Sequence, residues 1–107
     1  MQVFRIFSKM LGSMPAPAVL EALDAECRML EDDVAHRRLN WTEDTLSILC
    51  FRGFLQMVKW GDVMRCSLRL PPDHTEFYKD IILRLVNAGE LPGTALEQFD
   101  YAFKRKN

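Results

Sequence analysis

The chain lacks the short motifs that mark the best-known kinds of catalytic and ligand-binding site. Its five glycines are scattered singly, so no glycine-rich loop is present to hold a phosphate group. None of its serines lies in the G-x-S-x-G pattern of a hydrolase nucleophile. The two histidines, His36 and His74, have neither a second histidine nor a cysteine at the spacing of metal ligands. The sequence therefore predicts no catalytic, cofactor-binding or metal-binding residue, and we expect a protein that is not an enzyme.

An excess of charge of one sign is also lacking. The chain has 14 lysines and arginines against 15 aspartates and glutamates, which gives a formal net charge of −1. Basic residues gather only in two short clusters, 36–38 and 104–106, and both lie at the ends of predicted helices, where positive charge favours the helix dipole. Nucleic-acid-binding domains usually carry a broad basic face and excess positive charge. We therefore expect no nucleic-acid partner.

Cysteine is scarce, and the number of cysteines is odd. Cys27, Cys50 and Cys66 lie far apart in the chain, each within an apolar stretch. This pattern is typical of reduced, buried thiols rather than of a disulfide framework. The chain has no stretch of the ~18 uninterrupted apolar residues that a membrane span requires, and the first twenty residues make a poor secretory signal. These features predict a cytoplasmic protein.

The residues that are present suffice for one folded domain. The chain has 107 residues, of which 49 % are hydrophobic and 27 % charged, as in ordinary globular proteins. We expect a single domain over 1–107, with an N-terminal amphipathic segment at 1–14 and a globular core at 15–107.

Helical periodicity is clearest on either side of the middle of the chain. A helix is predicted over 17–38, because its apolar residues recur at spacings of three and four along one face and Pro17 suits a first turn. A helical hairpin is predicted over 73–105. Capping boxes that begin at Asp73 and Thr94 would open its two helices, and Gly89 would end the first.

The run over 45–70 consists of three apolar stretches separated by two short breaks that each contain a glycine. Residues 64–70 alternate strictly between apolar and polar side chains, which is typical of a half-buried strand. Gly53 suits a two-residue turn better than a helix interior. These features predict an α+β domain in which a three-stranded antiparallel meander packs against the long helix and the hairpin. Its strands are expected at 45–51, 54–60 and 64–70.

An all-α bundle is the alternative fold. In that interpretation residues 42–60 form one central, buried helix, with Thr42 as its N-cap. Trp41 would pack against Leu46 as a hydrophobic staple. Arg52, with other polar residues at helical spacing, would form a thin polar stripe on that helix.

The N-terminal segment is the best candidate for a contact surface. Residues 2–11 carry large apolar side chains at helical spacing, and Arg5 and Lys9 make the segment basic. Such a helix can dock on its own domain, on a partner protein or on an anionic membrane surface. Exposed tryptophan is a frequent interface anchor, although a tryptophan buried at the end of a strand is commoner and burial is the favoured interpretation for Trp60. The predicted partner-binding residues are Phe4, Phe7, Met10, Leu11, Trp41 and Trp60.

These observations predict a small, non-enzymatic protein–protein interaction module that associates with a partner or with itself as a homodimer through apolar surface. One alternative is a peripheral membrane protein anchored by residues 1–11. Another is a small enzyme whose site no sequence motif reveals.

Overall fold

The computed structural model describes residues 3–37 and 42–105, and most of them are helical. The five helices are α1 (Val3–Gly12), α2 (Ala16–Ala35), α3 (Glu43–Val58), α4 (Pro72–Asn87) and α5 (Ala95–Ala102). Two short strands, β1 (Cys66–Leu70) and β2 (Phe103–Arg105), pair in parallel. In the part of the chain that is described, none of the helices has both the length and the apolar character that a membrane crossing requires.

The predicted three-stranded antiparallel meander is wrong, and so is the α+β class. Residues 45–51 and 54–60, expected as two strands, belong to the single helix α3. Within the third expected strand only residues 66–70 form a strand, and they pair with β2 near the C-terminal end of the chain. The fold fits the all-α alternative, to which the parallel pair of short strands is a small addition.

Helix α3 forms because one of its faces is buried along its whole length. Ile48, Phe51, Leu55 and Val58 lie at spacings of three, four and three, and all four are buried. Thr42 is the N-cap, and its hydroxyl accepts a hydrogen bond of 3.2 Å from the Thr45 N–H. This burial outweighs the strand preference of the aromatic residues, which is a weak and context-dependent tendency. The predicted staple on Trp41 lies outside the described residues.

The predicted long helix is confirmed as α2, which ends at Ala35 rather than at 38, and the two helices of the hairpin are confirmed as well. The first predicted capping box is wrong, because α4 begins at Pro72 and its N-cap is Pro71, two residues before the predicted cap, Asp73. Thr94 is the N-cap of α5 but its side chain caps no backbone N–H; it accepts a hydrogen bond of 2.9 Å from the Gln98 side chain. The end of the predicted hairpin is extended as β2.

All five helices contribute to one core. Helix α1 packs against α2, α3 and α4, so the N-terminal segment shares the core of the domain. The centre of the core is aromatic. The Phe51 ring stacks on the Tyr78 ring at 4.1 Å between centroids and meets the Phe99 ring edge-on at 6.2 Å.

An ion-pair cluster joins α2 to α3. Two guanidinium nitrogens of Arg52 donate to one carboxylate oxygen of Asp24, at 3.0 and 2.6 Å, and a third donates to Glu31 at 3.2 Å. The hydrogen bond to Asp24 raises the pKa of Arg52. Such charge-assisted bonds hold α3 at a defined position on α2, and therefore also position the turn that follows α3.

Candidate functional site

Three exposed apolar side chains lie close together in sequence at the end of α3 and just after it. Met57, in the last turn of α3, is 40 % exposed, while Trp60 and Met64, in the segment that follows, are each 81 % exposed. We call these three residues the Trp60 surface. Exposed tryptophan is uncommon unless it contacts something, because its side chain is among the largest apolar ones. The surface is therefore a candidate contact site.

Met57 and Met64 of the Trp60 surface line an apolar groove of about 250 Å³, whereas Trp60 itself lines a second groove, of about 340 Å³. The first groove also contains the two half-buried cysteines, Cys50 and Cys66. It lies between α3 and the segment that leads into β1, and Gly53 helps to form it, because open space lies where a Cβ atom would be. Arg65 is the charged residue that lines it. The apolar lining residues include Cys50, Phe54, Met57, Val63, Met64 and Cys66.

Charges of both signs border the Trp60 surface. Lys59 and Asp62 lie on either side of Trp60 in sequence, and both are exposed. The Arg65 guanidinium lies 5.3 Å from the centroid of the Tyr101 ring, within the range of a cation–π contact. The surface thus combines large apolar side chains with a polar rim, as protein interfaces commonly do.

The predicted partner-binding residues of the N-terminal segment lie in the core. Phe4, Phe7 and Leu11 are buried, and Met10 is half-buried against the same core. The Phe4 ring stacks on the His74 ring at 3.5 Å between centroids. For these residues to dock elsewhere, α1 would have to leave the domain.

The two predicted tryptophans have different outcomes. Trp60 is the most exposed of the predicted residues that the structure describes, whereas Trp41 lies outside the described part. Sequence reasoning missed Met57 and Met64, because the meander placed Met64 on the inward face of a strand. A signal was present nevertheless: large apolar residues cluster on both sides of the polar turn at Gly61.

A buried polar cluster is a second feature that sequence reasoning missed. The Ser47 hydroxyl oxygen lies 3.2 Å from Nδ1 of His74 and 2.7 Å from the Tyr78 hydroxyl. A serine beside a histidine is the pairing that nucleophilic catalysis uses. Here both residues are at most 4 % exposed, and Ser47 does not line the groove of about 630 Å³ beside His74. The burial gives a substrate no route to the Ser47 oxygen, and the cluster ties α3 to α4 within the core.

Metal ligands do not converge in the described part of the chain. No group of three or more histidine, cysteine, aspartate or glutamate residues is placed to hold a metal ion among residues 3–37 and 42–105. No protein-family model, curated protein or solved structure matches this chain. The Trp60 surface remains the best-supported site among the residues described.

Proposed function

We propose that this chain is a small, non-enzymatic interaction module that binds a second copy of itself through the Trp60 surface. The observation that carries the proposal is that Trp60 is 81 % exposed and lies close in sequence to Met57 and Met64, which line an apolar groove of the same molecule. A protruding side chain and a groove on the same molecule allow two copies to contact each other reciprocally.

A two-fold symmetric dimer brings the exposed tryptophan of each copy to the groove of the other. In a two-fold dimer the same patch serves both subunits, so residue i contacts residue j while j contacts i. Trp60 lies three residues from both Met57 and Val63, which line the groove. In a symmetric pair, Trp60 of each copy inserts into the groove of the other. The methionine side chains are flexible and adapt to an inserted ring.

The two charged residues beside Trp60 also favour a second copy of the chain as the partner. Lys59 and Asp62 carry opposite charges and are both exposed. In a two-fold pair, Lys59 of one copy lies opposite Asp62 of the other, and the same contact is made twice. Such charge complementarity fixes the orientation of an interface more than its affinity. A strongly acidic partner would repel Asp62, and a strongly basic partner would repel Lys59.

The molecule is large enough for a stable contact. Its principal extents are 38, 30 and 24 Å, so one face accommodates the ~800 Å² per subunit that standard interfaces bury. Because Phe4, Phe7 and Leu11 pack in the core, the proposal places the contact at the end of α3 rather than on α1.

The proposed compartment is the cytoplasm. Cys27, Cys50 and Cys66 are all free thiols in the structure. Free cysteines are typical of proteins kept in a reducing compartment. This supports the proposal that the chain works as a cytoplasmic protein.

The test is the molar mass in solution as a function of protein concentration, measured by sedimentation equilibrium. The wild-type chain is expected to shift from monomer to dimer as the concentration rises. Trp60→Glu is expected to weaken the dimer at least tenfold, since it places a charge in an apolar contact and hot-spot residues contribute about 2 kcal/mol or more. Met29→Ser is the matched control, because Met29 is 59 % exposed on α2, a different element.

Circular dichroism should show the same helical spectrum for both variants, because neither residue is in the core. A wild-type chain that stays monomeric at the highest concentration, or a dimer that Trp60→Glu and Met29→Ser weaken equally, would overturn the proposal.

A further inference from the structure

We propose that Cys50 and Cys66 are a redox-active pair that closes to a disulfide within one chain. Cys50 lies on α3, and Cys66 is the first residue of β1. Their sulfur atoms are 3.5 Å apart, with the Cys66 thiol donating a weak hydrogen bond to the Cys50 sulfur. This contact lies within one molecule, so the proposal does not depend on self-association.

The local backbone permits the small movement that a bond requires. A disulfide has a sulfur–sulfur distance of about 2.05 Å, so the two sulfurs must approach by about 1.5 Å. Cys50 is held in the regular helix α3, whereas residues 62–65, just before Cys66, have no regular secondary structure. The pairing of β1 with β2 is itself irregular between Cys66 and Leu70. Cys66 therefore has the freedom to move toward Cys50.

Access separates this pair from the third cysteine. Cys50 and Cys66 are half-buried and both line the apolar groove of about 250 Å³, which opens to solvent. A small disulfide reagent in solution can thus reach them in the monomer, where no Trp60 of a second copy fills the groove. Cys27 is fully buried on α2 and lines no such groove, so it serves as an internal reference.

The oxidant is a low-molecular-weight disulfide such as oxidised glutathione. One cysteine of the pair loses its proton, and its thiolate attacks a glutathione sulfur, which breaks the glutathione disulfide and releases one glutathione thiolate. The second cysteine then attacks the protein sulfur of this mixed disulfide and releases the other glutathione. The two protein thiols lose two hydrogens in total, and one oxidised glutathione becomes two reduced ones.

The reaction should be faster at higher pH, because the thiolate is the attacking species. Burial raises the pKa of the Cys50 thiol to about 11. The pair is therefore slow to react at neutral pH, and mildly alkaline conditions are suitable for the experiment.

The test is peptide mapping of the full chain after incubation with oxidised glutathione. Remaining thiols are blocked with N-ethylmaleimide before digestion with trypsin, which separates Cys27, Cys50 and Cys66 into peptides 10–28, 39–52 and 66–69. The expected result is a linked pair of peptides, 39–52 with 66–69, from a monomeric band on a non-reducing gel. Free thiols per chain should fall from three to one, and the remaining thiol should map to peptide 10–28.

Two kinds of variant sharpen the test. Cys50→Ser and Cys66→Ser should each abolish the link, while Cys27→Ala should leave it intact. Three free thiols after incubation would overturn the proposal, and so would glutathione adducts without the linked peptides. A link found only between two chains on the non-reducing gel would overturn it as well.

Discussion

The Ser47 hydroxyl lies 2.7 Å from the Tyr78 hydroxyl, and this contact joins α3 to α4 inside an apolar core. Both residues are buried, and the Ser47 oxygen also lies 3.2 Å from Nδ1 of His74. Removing a polar group from water costs free energy, so a buried polar group is stable only when it is hydrogen-bonded. The pair therefore fixes the position of one helix on the other, since sliding would break a buried hydrogen bond.

Removal of this hydrogen bond should measurably lower the free energy of unfolding. Ser47→Ala is expected to lower the free energy of unfolding by about 1–3 kcal/mol, because it removes one partner of a buried contact. Urea denaturation followed by circular dichroism measures the change.

A second substitution tests the same contact from the other side. Tyr78→Phe keeps the ring that stacks on Phe51 and removes only the hydroxyl. A double-mutant cycle of the two should show a coupling of about 0.5 kcal/mol or more, and exposed Ser13→Ala is the control. Independent effects of the two substitutions would argue against the contact.

Helix α1 should be an integral part of the fold. Phe7 is buried against the common core, so Phe7→Ala is expected to lower the free energy of unfolding by about 3–5 kcal/mol. Thermal unfolding measures this loss. Lys9→Ala, on the exposed side of the same helix, is the control and should change stability by less than about 0.5 kcal/mol. Equal stability of the Phe7→Ala variant and the wild type would mean that α1 is detached in solution.

At two helix ends the protein should be more stable with glycine than with a residue that has a Cβ atom. Arg37, just after α2, has a positive φ of 59°, which is unfavourable for a side chain with a Cβ atom. Gly89, just after α4, has a φ of 78° and suits that conformation. We expect Arg37→Gly to stabilise the protein by up to about 1 kcal/mol and Gly89→Ala to destabilise it by about 1 kcal/mol. Melting temperatures measure both, and a shift of the two variants in the same direction would refute the expectation.

Alkaline pH should weaken the fold through Cys27. Burial raises the pKa of the Cys27 thiol to about 12, from 9.0 for an ordinary thiol, and the nearby Arg52 offsets part of the shift. The folded state thus keeps a proton that the unfolded state releases above about pH 9. The stabilisation is complete below that pH and is lost as the pH rises toward about 12. The free energy of unfolding of the wild type should fall by up to about 1.4 kcal/mol per pH unit more steeply than that of Cys27→Ala.

Urea denaturation of both proteins at a series of pH values, with a reductant present, measures this difference. The titration of Cys50 and of the other residues cancels in the comparison. Parallel pH profiles for the wild type and Cys27→Ala would show that the buried thiol does not contribute.

Local periodicity predicted the elements on either side of the middle of the chain. The spacing of Leu23, Cys27 and Leu30 predicted α2, and Gly89 marked the end of α4. The Glu90 N–H donates to the Leu85 carbonyl and the Gly89 N–H to the Val86 carbonyl, as expected for a helix that ends at glycine. These features depend on residues a few positions apart, so the sequence alone contains the information.

The middle of the chain could not be predicted in the same way. Residues 45–60 carry both aromatic residues, which favour strands, and a helical spacing that buries Ile48, Phe51 and Leu55. Which tendency prevails depends on the neighbours against which the segment packs, since strand propensity mainly reflects packing context. Helices α1 and α5 are among those neighbours, and they lie far from α3 in sequence.

The candidate site was predicted only in part. Trp60 was named from the sequence as a candidate interface anchor, although a buried Trp60 was the favoured interpretation, and the structure leaves it 81 % exposed. The role of Met57 and Met64 beside it depends on where α3 ends. The pairs Cys50–Cys66 and Ser47–Tyr78 are separated by 16 and 31 residues and meet only in the folded chain. No local pattern encodes a contact of that kind.

The sequence by itself determined which segments are helical on either side of residues 45–70, because helical spacing and end signals act over a few residues. The tertiary structure decided that 43–58 is a helix, that α1 packs in the core, and that Trp60 stays exposed. It did so because burial is a property of neighbours, and the chain acquires those neighbours only when its distant segments pack together.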